Sequence, residues 1–134
     1  MWVYLAARYS RHPEMQQYAA DLTAMGHEVC SRWIWGNHQV QDDGVSIDAS
    51  LEEVQRFALE DMLDLDAAEM VISFTEPPRS GHSRGGRHVE FGIALAFGLR
   101  CIVVGHRENV FHCLPGVEFY EDWAGVKVAL GSEE

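Results

Sequence analysis

Two acidic side chains, Glu90 and Asp61, occupy positions at which the hydrophobic pattern predicts a residue that faces the core. A buried carboxylate is costly unless it is paired or takes part in chemistry. Two carboxylates in unequal environments suit the cleavage of a glycosidic bond, because one can attack or stabilise an oxocarbenium-like centre while the other handles the proton of the leaving group. Glu90 and Asp61 are therefore the candidate catalytic residues.

Glu90 lies near the start of the most apolar helix that the sequence predicts. Gly85 and Gly86 precede it, and it shares a helical face with Gly86, Ala94 and Phe97. Glycines let a ligand approach the backbone closely, and the free N–H groups and positive dipole end of a helix start favour an ionised carboxylate. This setting suits a nucleophile or an anchor for a developing cation, and equally a carboxylate that only caps its own helix.

Asp61 lies in a helix that begins with a capping box at residues 50–53 and runs to about Ala67. Glu60 and Asp64 fall off the apolar stripe of this helix, so we expect them to be solvated. Asp61 falls on the stripe, where a structural ion pair with an arginine is the alternative to a catalytic role. The apolar members of the stripe are Leu51, Val54, Ala58 and Leu65.

Basic, glycine-rich and aromatic segments follow the predicted strands. Arg8 and Arg11 come just after the first strand, where they would suit an anion or lie in a solvated surface loop. The stretch 81–86 lacks the lysine and hydroxyl of a Walker motif but suits an oxyanion or phosphate cradle at a helix start. Trp33 and Trp35 fit the core somewhat better than a stacking platform, because tryptophan is mostly a packing residue.

Short apolar segments alternate with helical patterns along the whole chain. This alternation predicts an α/β fold, Rossmann-like or flavodoxin-like, with a parallel sheet of about five strands and helices on both faces. Ligands bind such sheets beyond the carboxyl ends of the strands, where strand order reverses; residues 8–11, residues 32–35 and the loop before Glu90 belong to that edge. Strands are predicted at 2–7, 27–31, 70–74, 101–105 and 117–120, and helices at 13–25, 50–67, from about 86, and at 122–130.

Length and charge limit the class of protein. The 134 residues predict one domain, 1–134, and the formal charge of −11 argues against a nucleic-acid polymer or an anionic membrane as partner. No apolar run reaches membrane-spanning length, and the first residues lack the basic segment of a signal peptide. We therefore expect a cytoplasmic protein.

The cysteines and histidines show no metal or disulfide pattern. Cys30, Cys101 and Cys113 are odd in number and lack CxxC spacing, and the seven histidines form no HExxH or similar motif. We expect no metal and no cofactor. A serine hydrolase is disfavoured as well, because no GxSxG elbow is present.

Three segments resemble the nucleoside 2-deoxyribosyltransferase superfamily, which includes the 2′-deoxynucleoside 5′-monophosphate N-glycosidases and the cytidine monophosphate hydrolases. They are VYLA at residues 3–6, Glu60-Asp61 one helix before residues 68–72, and GRHVEFGIALA at residues 86–96. The resemblance spans roughly residues 3–105. It implies an enzyme of nucleotide metabolism and salvage that cleaves the N-glycosidic bond of a (deoxy)nucleoside or its 5′-monophosphate, with transfer of the sugar to water or to another base.

The resemblance also implies roles for particular residues. Glu90 would be the nucleophile that attacks the anomeric carbon, Tyr4 would orient it, and Asp61 would contact the base or supply its proton. Apart from the resemblance, Trp33, Trp35 and His38 are the candidates to shape a base pocket. The residues that would hold a 5′-phosphate are Arg8, Ser10, Arg11, Ser83, Gly85 and Gly86.

The sequence departs from the transferases of this superfamily at two places. They carry a further aspartate shortly before the nucleophile, whereas residues 83–88 here include two arginines, which favours a phosphorylated substrate. They also complete the site with an asparagine or a carboxyl terminus of a neighbouring subunit. Asn109 is the analogous residue here, and this role implies a homodimer or a higher homo-oligomer.

Two other functions stay open from the sequence. One is a sensor that binds a nucleotide or an ADP-ribose-like ligand without turnover, and its binding should survive Glu90→Gln. The other is a phosphoribohydrolase with a Pro-Gly-Gly-x-Gly-Thr-x-x-Glu motif, although the Gly-Thr pair is missing here. The base, the sugar and the acceptor are not specified by the sequence.

Overall fold

The computed structural model describes residues 1–36, 50–78 and 85–133. The strands are β1 (Trp2–Ala6), β2 (Glu28–Val29), β3 (Met70–Phe74), β4 (Arg100–Val104) and β5 (Glu118–Tyr120). The α-helices of the described residues are α1 (His12–Ala24), α2 (Leu51–Ala67), α3 (Gly86–Ala96) and α4 (Trp123–Gly131). Short 3₁₀ helices span Tyr9–Arg11, Arg32–Trp35 and Val110–Cys113.

The strands form one parallel sheet in the order β2-β1-β3-β4-β5. The chain therefore builds outward from β1 to β2 and then crosses back to continue on the other side of β1. Strand order reverses between β1 and β3, and this is where a sheet of this kind binds its ligands. The predicted Rossmann-like α/β sheet is confirmed.

Each face of the sheet is covered by a different pair of helices. Side chains alternate between the faces along each strand, and the strand register places Tyr4, Val71 and Cys101 on one side. Helices α2 and α3 pack on that side. On the other side Phe74 stacks against Tyr18 of α1 and lies near the ring of Trp123 of α4.

Strand β2 is shorter than the predicted 27–31. It pairs with β1 only at Glu28 and Val29. Beyond them, the side chain of Ser31 replaces a backbone carbonyl as the partner of β1. The Oγ of Ser31 accepts a hydrogen bond from the backbone N–H of Leu5 at 3.1 Å. The chain then leaves the sheet for the 3₁₀ helix Arg32–Trp35, because this side-chain bond replaces the next rung of the ladder.

The helix boundaries follow from local sequence signals. At the start of α2, Ser50 Oγ accepts a hydrogen bond from the N–H of Glu53 at 3.2 Å, as the capping box predicts. Gly85 precedes α3 with φ of +85°, a conformation that favours glycine. Asp122 caps α4 through the N–H of Gly125 at 2.9 Å. Among the described residues, no helix has the length and apolar character that crossing a membrane requires.

Candidate active site

Tyr4, Glu90 and Asp61 meet where α2 and α3 cover β1. Tyr4 is fully buried in the middle of β1, and its hydroxyl donates a hydrogen bond to Oε2 of Glu90 on α3. Asp61 comes from α2, and its Oδ1 is closed to solvent. Three elements that are distant along the chain thus bring together the three residues predicted to be catalytic. Their chemical roles stay predictions.

The electrostatics of this cluster reverse one expectation. The helix start was expected to favour an ionised Glu90, yet burial of its carboxyl group raises its pKa to about 8, with a further rise from the charge of Asp61. The hydrogen bond from Tyr4 opposes the shift but is the weaker effect. Glu90 lies one turn into α3, past the first turn where the helix dipole acts most strongly. Desolvation therefore outweighs the dipole.

Asp61 is also held near neutrality. Burial raises its pKa to about 7, the charges of Asp64 and Glu60 raise it further, and Arg32 lowers it. The negative charge of Asp61 is in turn one of the causes of the raised pKa of Glu90. Ionisation of one carboxyl therefore disfavours ionisation of the other, so the pair carries a single negative charge more readily than two.

Asp64 was expected to be solvated, and this expectation is wrong. It is 6% exposed, and its carboxylate accepts from the backbone N–H of Arg32 at 3.0 Å while it forms an ion pair with the Arg32 side chain at 2.9 Å. Arg32 also lies 3.5 Å from Glu60. These contacts tie the 3₁₀ helix Arg32–Trp35 to α2, beside Asp61.

The two tryptophans of this 3₁₀ helix have different environments. Trp33 is in the core as predicted, 5% exposed, and its Nε1 donates to the carbonyl oxygen of Leu5 at 2.7 Å. Trp35 is 57% exposed, so its expected core placement is wrong. The contribution of Trp33 to a base pocket stays a prediction, and His38 lies outside the described residues. Of these two tryptophans, Trp35 is the one whose ring is exposed to solvent.

The arginines after β1 are engaged by carboxylates. Arg11 donates to both carboxylate oxygens of Glu14, at 2.9 and 2.7 Å, and its Nη1 donates to Glu76 at 2.9 Å and to the carbonyl oxygen of Thr75 at 3.2 Å. Arg8 lies 3.8 Å from the other oxygen of Glu76. The phosphate-binding role of Arg8, Ser10 and Arg11 stays a prediction, and a phosphate there would compete with Glu76.

The residues before Glu90 are only partly described. Ser83 lies outside the described residues. Gly85 and Gly86 are described, and within residues 1–36, 50–78 and 85–133 a Cβ added to either would meet no heavy atom within 4 Å. Contacts with these described residues therefore do not require a glycine at Gly86, and the role of both glycines in binding a ligand stays a prediction.

A second ionic cluster beside α3 was missed by the sequence reasoning. Arg87 is buried and forms a two-point ion pair with Glu108, whose Oε2 lies 3.0 Å from Nη2 of Arg87. Asn109 accepts from the N–H of Phe111 at 2.9 Å, and its Nδ2 lies 3.5 Å from Nδ1 of His88. Its role in a neighbouring subunit stays a prediction.

Within residues 1–36, 50–78 and 85–133, no group of three or more His, Cys, Asp and Glu side chains is arranged to hold a metal ion.

The solved structures that share this fold include two enzymes of nucleoside chemistry. The 2-deoxyribosyltransferase of the psychrotolerant bacterium Bacillus psychrosaccharolyticus matches with a TM-score of 0.70 at 16% identity, over 97% of this chain and 96% of that one. The CMP N-glycosidase BcmB of Clostridium botulinum matches with a TM-score of 0.61 at 19% identity, over 97% and 98%. No family model matches the chain, and no curated protein matches it in sequence. The fold implied by the resemblance is confirmed along nearly the whole chain.

Proposed function

We propose that this protein is an enzyme that cleaves the N-glycosidic bond of a nucleoside or a nucleoside 5′-monophosphate, with Glu90 as nucleophile. The observation that carries the proposal is the hydrogen bond from the buried Tyr4 to Glu90, next to Asp61, where strand order reverses. Enzymes of this chemical class are also found on the same fold, as a 2-deoxyribosyltransferase and a CMP N-glycosidase.

The chemistry divides between the three residues. Tyr4 holds Oε2 of Glu90, which leaves the other carboxylate oxygen to attack C1′ and form a glycosyl ester. The bond between C1′ and the base nitrogen breaks, and its electron pair leaves with the base. Asp61 supplies the proton that the departing base needs, since its pKa of about 7 keeps a proton available near neutral pH. Water or a second base then attacks C1′ and releases Glu90.

The shared charge of the pair sets the productive state. Glu90 must be ionised to attack, and Asp61 must be protonated to give its proton to the base. Because the pKa of Glu90, about 8, is above that of Asp61, about 7, the singly ionised pair holds its proton more often on Glu90, and the productive form is the less populated of the two. We expect a bell-shaped dependence of rate on pH with its maximum near neutrality.

Base release measured by chromatography tests the proposal. The panel contains ribo- and deoxynucleosides and their 5′-monophosphates, each with and without a competing free base. Release that is lost in Glu90→Ala and kept in Glu52→Gln, an exposed glutamate at the start of α2, supports it. A swapped base in the product identifies a transferase, and release without exchange identifies a hydrolase. No release from any substrate overturns the proposal.

A sensor that binds a nucleotide or an ADP-ribose-like ligand is the second candidate. The raised pKa of Glu90 favours it, because a neutral carboxyl is a poor nucleophile and a good hydrogen-bond donor to a ligand. Calorimetric titration separates the two. Nucleotide binding that survives Glu90→Gln, together with no base release from the wild type, identifies the sensor.

We also propose that the protein acts as a homodimer through the outer surfaces of α2 and α3. Leu59, Leu63 and Val89 are 64%, 65% and 64% exposed, and Phe97 at the end of α3 is 48% exposed. Apolar side chains concentrated on two neighbouring helices are typical of a surface that a partner covers. Light scattering coupled to size-exclusion chromatography should give twice the chain mass, and a monomer at all concentrations contradicts the proposal.

A further inference from the structure

A buried cation lies one turn before Glu90 on α3. Arg87 is 6% exposed, and residues three apart on a helix have Cβ atoms about 5–6 Å from each other. An arginine so close to a carboxylate would ordinarily pair with it. Arg87 instead gives both terminal nitrogens to the carboxylate of Glu108, which arrives from the loop after β4.

Glu108 joins three segments at the carboxyl edge of the sheet. Besides Arg87, its Oε1 accepts from the backbone N–H of Glu76 at 3.0 Å, in the loop after β3. Its own backbone N–H donates to Nδ1 of the buried His112 at 3.0 Å, in the 3₁₀ helix Val110–Cys113. Burial pushes the pKa of Glu108 up, but the hydrogen bonds from Arg87 and from the N–H of Glu76 outweigh it and leave the pKa below its ordinary value.

The charged groups around the two carboxyls are distinct. Glu90 faces Tyr4 from β1 and Asp61 from α2. Glu108 faces Arg87 and also His88, whose Nε2 lies 3.7 Å from it, and both His88 and His112 have a pKa lowered chiefly by burial. Among the described residues, Glu108 is thus the anion that balances Arg87, whereas the groups that act on Glu90 are Tyr4 and Asp61.

We propose that Glu108 is a positioning residue for Glu90: it holds the Arg87 guanidinium away from the Glu90 carboxylate and fixes the first turn of α3 to the loops after β3 and β4. The inference rests on the proposed function for its catalytic meaning. Its electrostatic content concerns the protein itself and can be measured without turnover.

Glu108→Gln keeps the shape of the side chain and removes its charge. The uncompensated guanidinium should then turn to Glu90, the carboxyl one turn away, because a buried cation without a partner is strongly unfavourable. We expect the pKa of Glu90 to fall by about one unit or more. We also expect kcat to fall about tenfold with little change in KM, because the carboxylate is drawn from Tyr4 into an ion pair.

The chain offers a matched control at the opposite edge of the sheet. Arg100 and Glu118 form the same two-point pair, at 2.7 and 2.8 Å, where β4 and β5 begin. Glu118→Gln should leave both the Glu90 titration and kcat unchanged. The double variant Arg87→Gln/Glu108→Gln removes both charges, so the Glu90 titration should return to the wild-type position.

The experiment is a ¹³C NMR titration of glutamate-labelled protein, with the Glu90 signal assigned by its loss in Glu90→Gln, alongside kcat against pH. A Glu90 titration in Glu108→Gln that coincides with that of Glu118→Gln overturns the inference.

A second variant covers the case in which Glu108→Gln fails to fold. Glu108→Asp retains the charge at a longer distance from Arg87, and it should shift the Glu90 titration in the same direction by a smaller amount. No shift in Glu108→Asp overturns the inference. Absence of turnover in the wild type would overturn only the proposed function, since the titration still decides this one.

Discussion

On the face of the sheet that α1 and α4 cover, the interior is built from aromatic stacking. Phe74 of β3 is 1% exposed, with its ring centroid 5.1 Å from that of Tyr18 and 5.9 Å from that of Trp123. On the opposite face, under α2 and α3, Tyr4 is equally buried but carries its hydroxyl to Glu90, with Asp61 nearby. One face therefore stabilises the fold through packing, and the other encloses groups that water would solvate better.

The difference between the faces has a thermodynamic consequence. Burial of rings on the α1 side contributes favourable free energy from apolar area and ring contacts. Burial of two carboxyls on the α2 side raises both of their pKa values, which means that their charged forms are destabilised by the fold. Such an arrangement is expected of a functional site, where stability is given up for reactivity.

Glu90→Gln, on the face covered by α2 and α3, should have the largest effect on activity. We expect kcat for base release to fall by about 10³-fold or more, because the amide cannot attack C1′. Steady-state assays measure it, with Glu52→Gln as the control. A Glu90→Gln protein that releases base at more than about a tenth of the wild-type rate contradicts the assignment of the nucleophile.

The two buried carboxyls should also make the stability of the protein depend on pH, whereas the aromatic face should not. Both carboxyls stay neutral in the folded protein up to their raised pKa values, about 7 for Asp61 and about 8 for Glu90, whereas they ionise near pH 4 in the unfolded chain. Their stabilising contribution is therefore complete below about pH 4 and is lost as pH rises to 8. We expect the free energy of unfolding in urea to fall over this range by on the order of a few kcal/mol.

The same denaturation series contains its own control. Glu90→Gln should flatten the dependence on pH and be more stable than the wild type at pH 8, because no charge has to be buried. Phe74→Leu, on the other face, should keep the wild-type slope. Equal slopes in the wild type and Glu90→Gln would mean that Glu90 does not have a raised pKa.

Phe74→Leu should act on stability alone. The smaller side chain loses ring contacts with Tyr18 and Trp123, so we expect a loss of about 1–2 kcal/mol in the free energy of unfolding. Activity per folded molecule should not change, since the ring points away from Glu90. Urea denaturation and kcat are measured on the same preparation. A drop in kcat without a drop in stability would show that the two faces are coupled.

The sequence predicts the fold well because its strongest signals are local. Strand β3 was predicted at its observed bounds, Met70–Phe74, since a strand buried on both faces is a continuous apolar run. The capping box before α2 and the glycine before α3 were legible for the same reason. Strand β2 was predicted too long because the bond between Leu5 and Ser31 joins residues 26 apart in the chain.

The sequence predicts a residue of the candidate site only where a polar residue interrupts an apolar pattern. Asp61 and Glu90 break one and were identified, whereas Asp64 and Glu108 break none and were missed. Their partners Arg32 and Arg87 lie 32 and 21 residues away, a separation that no local period reports. The ionisation of Glu90 was predicted wrongly for a related reason, because its desolvation comes from packing of α3 against other elements.

Tyr4→Phe should have the smallest effect and the sharpest control. The ring stays in the core and only the hydroxyl that donates to Glu90 is lost, so we expect kcat to fall about tenfold. Because that hydrogen bond lowers the pKa of Glu90, its loss should raise this pKa and shift the pH–rate profile to higher pH. Tyr18→Phe deletes a hydroxyl on the other face, where it donates to Glu14 at 2.7 Å, and should leave rate and profile unchanged. If the two variants have the same profile, the hydroxyl of Tyr4 contributes packing and nothing more, and the two faces differ less than their polar atoms indicate.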